Sequence, residues 1–300
     1  MSETKEIEIE EMFVEDGLKP QKRMSPSSIN TYHSCPKKYY KQYILKIRST
    51  NIHMVKGGIV HKTLEDFFRG YKPPLREAME GFFEKAWKSK EKDIKNLELS
   101  DEEKSEALQD CYRMIDDYYN DFVRKCRRLI QAGKAENEKH AYYLLKPKFR
   151  ELFVEDKDLH CCGYIDRVHK DFDGIITLGD YKTSKRYGIG ISEDYKRQLS
   201  IYSLLYYLQE KVLPDFVSVI FLRYGEEPLL EVTPSLLRYA RDVIKDAYVK
   251  TRSVDIEDYP MKESPLCRWC DFIDTCSSEK EFDDEKRLEK LKKVIQNKKA

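Results

Sequence analysis

Between Cys161 and Ser184 the chain reads as two strands joined by a tight turn, and no other stretch constrains its fold as much. Runs of β-branched and aromatic residues flank Asp171-Phe-Asp-Gly174, the composition that a hairpin turn demands. Asp166 falls in the first strand, and Asp180 and Lys182 in the second. Residues two apart on a strand share a face, so Asp180 and Lys182 point to one side, and pairing across the turn lets Asp166 reach it. Two carboxylates and an ammonium gathered on one face are costly unless a metal and an anionic substrate neutralise them.

The remaining chain falls into place around that hairpin. Ser25-Pro26-Ser27 starts a helix carrying Ile29, Tyr32 and His33, and Pro36 opens a second one running through Tyr43. Gly57-Gly58 leads a helix with Ile59, Val60, Leu64, Phe67 and Phe68 on its apolar stripe, and His61 lies beside that stripe. A lone histidine there is ordinarily a structural residue. Residues 71–145 form a helical insertion, with helices over 75–92 and 101–131, the second opened by the capping box Ser100-x-x-Glu103. It is a cover over the site or a surface for a partner.

From Lys146 the period shifts to strand, predicting three consecutive antiparallel strands, with Glu151 in the first. A helix over 192–211 follows, placing Gln198 and Tyr202 on one face. Two strands and a helix capped by Thr233 complete the pattern, which predicts an α/β fold with a mixed sheet.

Hydrophobic content of 40% with 36% charged residues suits a soluble protein with a charged surface. No apolar run approaches the ~18 residues of a membrane span, so an intracellular, cytoplasmic location is expected. The net charge of +1 conceals a polarity: residues 1–16 carry seven acids against Lys5. We read residues 1–18 as an acidic disordered tail, 19–278 as one domain and 279–300 as a charged helix. Residues 19–48 hold eight bases and no acid, interleaved with four tyrosines; Lys37, Lys38 and Lys41 lie among them. That block suits phosphate binding with bases stacked on rings, although a solvated helix face has the same composition.

Eight cysteines in a chain of this length do not resemble a secreted disulfide framework. Cys267-x2-Cys270-x5-Cys276 sets three thiols within ten residues, a spacing that chelates a metal or a cluster with little strain. Cys35, at a loop break, is the candidate fourth ligand, because Cys111, Cys126, Cys161 and Cys162 sit inside periodic helix or strand. Zinc and an iron–sulfur cluster both fit the spacing. Either ties residue 35 to residue 267 and closes most of the chain into one unit.

These segments together resemble a RecB-like nuclease of the PD-(D/E)XK superfamily, in its iron–sulfur branch, which includes CRISPR-associated RecB-like exonucleases and the AddB nuclease domain. Ser34-Cys35-Pro36 resembles the N-terminal cluster segment, Gly57-x3-His61 the G-x-x-x-H motif and Gly163-x-x-Asp166 the G-x-x-D motif. Asp180-Tyr-Lys182 resembles D/E-x-K, Gln198-x3-Tyr202 resembles Q-x-x-x-Y, and the late cysteines match the cluster spacing. The matches run in order over residues 35–276, and the insertion exceeds that of the small CRISPR-associated members.

The resemblance implies a restriction-endonuclease-like core and a Mg²⁺- or Mn²⁺-dependent deoxyribonuclease acting on single strands or DNA ends. By the same route, His61, Asp166, Asp180 and the Tyr181 carbonyl become metal ligands, with Glu151 beside them. Lys182 activates water and stabilises charge on the phosphate. Gln198 and Tyr202 position the phosphate backbone of DNA or support the site, and Lys37, Lys38 and Lys41 position DNA. Cys35, Cys267, Cys270 and Cys276 hold a 4Fe–4S cluster. Expected settings are CRISPR spacer acquisition, recombination or repair, with association with the nucleoid when active and a helicase or CRISPR integrase as partner. The alternative is a DNA-end-binding subunit with little activity alone.

Overall fold

Capping chemistry sets where most of the helices begin. In the computed structural model, which describes residues 23–47, 49–70, 76–184 and 190–276, Ser25 accepts from Ser28 N–H to start α1 (Pro26–Ser34). Pro36 starts the short α2 (Pro36–Tyr39), which widens over Tyr40–Ile44 into a turn closed by Leu45 N–H on Tyr40 C=O at 2.9 Å. Asn51 caps α3 (Ile52–Phe67). The insertion contains α4 (Arg76–Ser89), α5 (Glu91–Lys95), α6 (Asp101–Gln131) and α7 (Glu138–Leu145). The predicted capping box at Ser100 and Glu103 is present.

The insertion holds more helix than the sequence periodicity predicts. Gly133, at φ +69°, ends α6, and Asn137 then caps a new eight-residue helix too short to show a clear period. The acidic tail (1–18), the charged segment (279–300) and residues 71–75, where the insertion begins, lie outside the described residues.

The strands are β1 (Phe149–Asp156), β2 (Cys161–Lys170), β3 (Ile176–Lys182), β4 (Phe216–Phe221) and β5 (Leu229–Glu231). They form one sheet in that order, antiparallel except for β3 and β4, which run parallel from Thr177↔Phe216 to Lys182↔Phe221. A parallel pair needs a crossover, and α8 (Glu193–Glu210) provides it. The mixed α/β sheet is therefore as expected. The chain continues through α9 (Pro234–Lys250) to the short α10 (Ile273–Cys276).

Both faces of the sheet are covered. Ile165, Val168, Leu178, Val217 and Val219 pack with Leu199 and Leu205 of α8 and Leu237 and Ile244 of α9. On the other face Tyr181, Ile220 and Leu222 pack with Val60 and Leu64 of α3 and Met114 and Phe122 of α6. The insertion thus builds part of a structural layer. A third apolar group joins Tyr39, Tyr40 and Ile44 to Tyr259, tying the N-terminal helices to the segment before the late cysteines. No helix among the described residues is long and apolar enough to cross a membrane.

Candidate active site

The hairpin forms its ladder from Lys170↔Ile176 to Arg167↔Gly179, and then it opens. Gly179 leaves room there: a Cβ would lie 2.9 Å from Ile220 Cδ1 and 3.3 Å from Arg167 Nε and Ser218 Oγ, so those side chains would have to shift. Past the opening, Tyr181 N–H donates to Asp166 Oδ2 at 2.7 Å, so a side chain takes the place of a strand partner. Asp166 therefore enters the site between the strands and does not face Asp180 across a ladder pair. Its other oxygen lies 3.2 Å from Nδ1 of His61 on α3.

Glu151 completes this side of the site. It adopts φ +47° on β1, a left-handed conformation that costs an L residue on the order of 1 kcal/mol. The regular pairing of β1 with β2 skips Glu151 and Asp166, between Arg150↔Arg167 and Leu152↔Ile165. One potential ligand atom from each of His61, Glu151 and Asp166 lies within 4.8 Å of the others, a group able to hold a metal ion. Burial first, and then the Asp166 carboxylate, push the Glu151 carboxyl up to about 7. Burial disfavours charge on His61, but Asp166 outweighs it and raises the imidazole.

Asp180 faces α8. Its Oδ2 lies 2.5 Å from Lys182 Nζ, and its Oδ1 accepts from Gln198 Nε2 at 3.0 Å. Lys182 in turn donates to Gln198 Oε1 at 3.2 Å and sits 5.3 Å over the Tyr195 ring. One amide therefore holds both members of the ion pair. Burial works against charge on Lys182, and Asp180 outweighs it, so the ammonium is held above its ordinary range. Asp180 is not part of the His61–Glu151–Asp166 group.

Gln198 and Tyr202 are buried, with Gln198 Nε2 also 3.4 Å from Tyr202 OH. A Cβ on Gly163 would lie 2.9 Å from Tyr202 Cε1 and 3.2 Å from Pro26, so the motif glycine makes room for the tyrosine. Gln198 thus supports the acidic site from the α8 side, with Tyr202 behind it. Tyr181 turns its ring toward α6, its hydroxyl 3.3 Å from that of Tyr118. Tyr195 was not among the predicted site residues; its place in the first turn of α8 resembles any exposed helical tyrosine.

The basic segment divides. Lys37 and Lys38 are half-buried. Lys41 is 3% exposed and donates to Thr275 Oγ1 at 3.2 Å, so it fastens the N-terminal helices to α10 and offers no charge to DNA, contrary to its predicted role. That same contact brings the cysteine segments together. Burial raises the Cys276 thiol, with Cys35 and Cys270 adding to the effect and Lys37 opposing it. Cys267 Sγ accepts from Ser264 N–H at 3.4 Å. No set of cysteines among the described residues brings three sulfurs within 4.8 Å of one another. The soft thiolate donors suit iron–sulfur or zinc chemistry.

A family model described as the PD-(D/E)XK nuclease superfamily matches residues 23–277. No curated protein matches the chain. Among solved structures, one from Eubacterium rectale provisionally titled an exonuclease aligns with a TM-score of 0.48 and 11% identity, over 86% of this chain and 90% of that one. The chain belongs to the PD-(D/E)XK nuclease superfamily.

Proposed function

We propose that the protein is a metal-dependent deoxyribonuclease that hydrolyses phosphodiester bonds in single strands or at DNA ends. The observation that carries this reading is the adjacency of two groups: His61, Glu151 and Asp166 around one point, and the buried Asp180–Lys182 pair beside them. The carboxylate donors suit a hard divalent cation such as Mg²⁺ or Mn²⁺, with His61 beside them; when bound, it supplies Lewis acidity and an acidified water.

The chain's own residues do the remaining work. His61, Glu151 and Asp166 would hold the cation, with the Asp180 carboxylate as a further oxygen donor. Tyr181 N–H fixes the Asp166 carboxylate, so one oxygen stays turned toward His61. Lys182 places a full positive charge where phosphate oxygens gain negative charge, and Gln198 restricts its position. Of the basic run ahead of α3, the half-buried Lys37 and Lys38 support an anionic polynucleotide as the substrate.

We infer in addition that Cys35, Cys267, Cys270 and Cys276 hold a 4Fe–4S cluster, as in the RecB-like branch. The Lys41–Thr275 contact, which brings the segment after Cys35 beside Cys276, supports it. The cluster would clasp the ends of the domain and take no part in hydrolysis.

Labelled single-stranded DNA incubated with the purified full chain and Mn²⁺ should be cut, and Asp180→Ala or Lys182→Ala should abolish cutting. Equal cutting by all three would sink the assignment. Anaerobically purified protein should be brown; a colourless, zinc-containing protein would overturn the cluster.

A further inference from the structure

The face of the sheet on which α3 and His61 pack continues past the metal-binding group to a pair of exposed rings. Leu152 and Val154 of β1, with Ile165 of β2, turn toward the α8 side, and Gly163 abuts Tyr202 and Pro26 there. By strand alternation Phe153 and Tyr164 turn the opposite way, toward the face that α3 covers. They are direct cross-strand partners with ring centroids 5.1 Å apart, two steps along the ladder from the Glu151 and Asp166 positions and one beyond Leu152↔Ile165. The helical layer that covers this face elsewhere leaves them bare: Phe153 is 39% exposed and Tyr164 56%.

A single exposed aromatic residue needs no explanation. Two in contact, tilted at 51° to each other and about 7 Å along a strand from a candidate metal ligand, do. Addition of another strand at this edge is disfavoured, because the Gln209 amide already accepts from Glu155 N–H and donates to Phe153 C=O, both at 3.3 Å. What remains available is the ring surface. A polynucleotide held by its phosphate at His61, Glu151 and Asp166 carries its own flat, apolar partner within reach. Rings on a sheet surface hold unpaired bases by stacking, with little dependence on sequence.

We propose that Tyr164, backed by Phe153, is a stacking platform for one unpaired nucleobase of the strand whose phosphate lies at the metal-binding group. The proposal rests on the nuclease reading and adds a preference: the platform needs a base free of its complement, so it favours single strands and frayed ends over intact duplex. Tyr164 is a positioning residue, and it touches no reacting atom.

The test uses the full chain, Mn²⁺ and a thymidine oligonucleotide, alongside a series in which one abasic residue is stepped along the strand. Tyr164→Ala should raise KM about tenfold with a smaller change in kcat, the loss expected for one stacked base. One abasic position should cost the wild type a similar factor and cost Tyr164→Ala nothing, and Tyr164→Trp should restore both. Wild-type KM in Tyr164→Ala, or an abasic penalty equal in both proteins, overturns the platform and leaves the nuclease assignment standing. A wild-type chain that does not cut at all overturns both.

Discussion

Asp166 on β2 accepts the Tyr181 main-chain N–H of β3 at 2.7 Å, one step past the last ladder pair. With its other oxygen 3.2 Å from His61, this carboxylate joins two strands and a helix at the point where they separate. Its neighbour Glu151 has its carboxyl pushed up to about 7, by burial and then by Asp166 itself. The site therefore holds like charges together in the absence of a counter-ion, and a stability cost at a functional site is the expected result.

That relationship makes Asp166→Asn informative. The amide keeps an acceptor for Tyr181 N–H and removes the repulsion on Glu151. Without added metal the variant should melt at or above the wild-type temperature. With Mn²⁺ its cleavage rate should fall on the order of 10³-fold, about 4 kcal/mol of lost transition-state stabilisation. A variant that melts well below wild type would assign Asp166 to structure.

Gln198 is the second point to test, because its amide holds both Asp180 and Lys182. Gln198→Ala leaves the ion pair in place but frees it to move. Steady-state kinetics should show kcat reduced about tenfold, a typical loss for one positioning hydrogen bond, with KM nearly unchanged. A rise in KM at constant kcat would instead make Gln198 a contact for the substrate.

The hairpin, the caps at Ser25 and Ser100, the crossover helix and the mixed sheet were legible because each is written in local pattern. The opening of the ladder was not. Strand alternation predicts Asp166 on the side of Asp180 and Lys182, but Glu151 at φ +47° and the lost pairing break that rule. Lys41 shows a different limit: a count of bases reports charge and says nothing of burial, and this one is consumed by Thr275. The aromatic pair was equally hidden, since Phe153 and Tyr164 become neighbours only through register.

The motif glycines should separate into two kinds. Gly163→Ala forces a Cβ to 2.9 Å from Tyr202 and 3.2 Å from Pro26, and should cost about 1–3 kcal/mol. Gly57 lies inside α3, where an added Cβ meets only Thr183 Oγ1 at an ordinary 3.7 Å. Gly57→Ala should therefore stabilise the fold by up to about 1 kcal/mol through helix propensity. Urea denaturation of both variants checks the pair; destabilisation by Gly57→Ala would contradict the geometry.

The insertion is held to the core by a charged joint, and acid should open it. Asp110 of α6 accepts from Lys56 of α3 at 2.6 Å and from Arg223, just beyond β4, at 2.5 Å, with a further bond from the same guanidinium. Burial pushes the Asp110 carboxyl up, but these bonds outweigh it and hold it at about 2, below its ordinary 3.8. Between those values the unfolded chain binds a proton that the folded chain refuses, so stability from this group is complete above about pH 4 and is lost as pH falls toward 2. Solvent reaches the joint, which limits its worth to about 1 kcal/mol. Thermal melts of wild type and Asp110→Asn should differ most above pH 5, with the wild type more stable, and converge as the pH approaches 2. A gap that stays constant across that range would mean that the joint holds through shape alone.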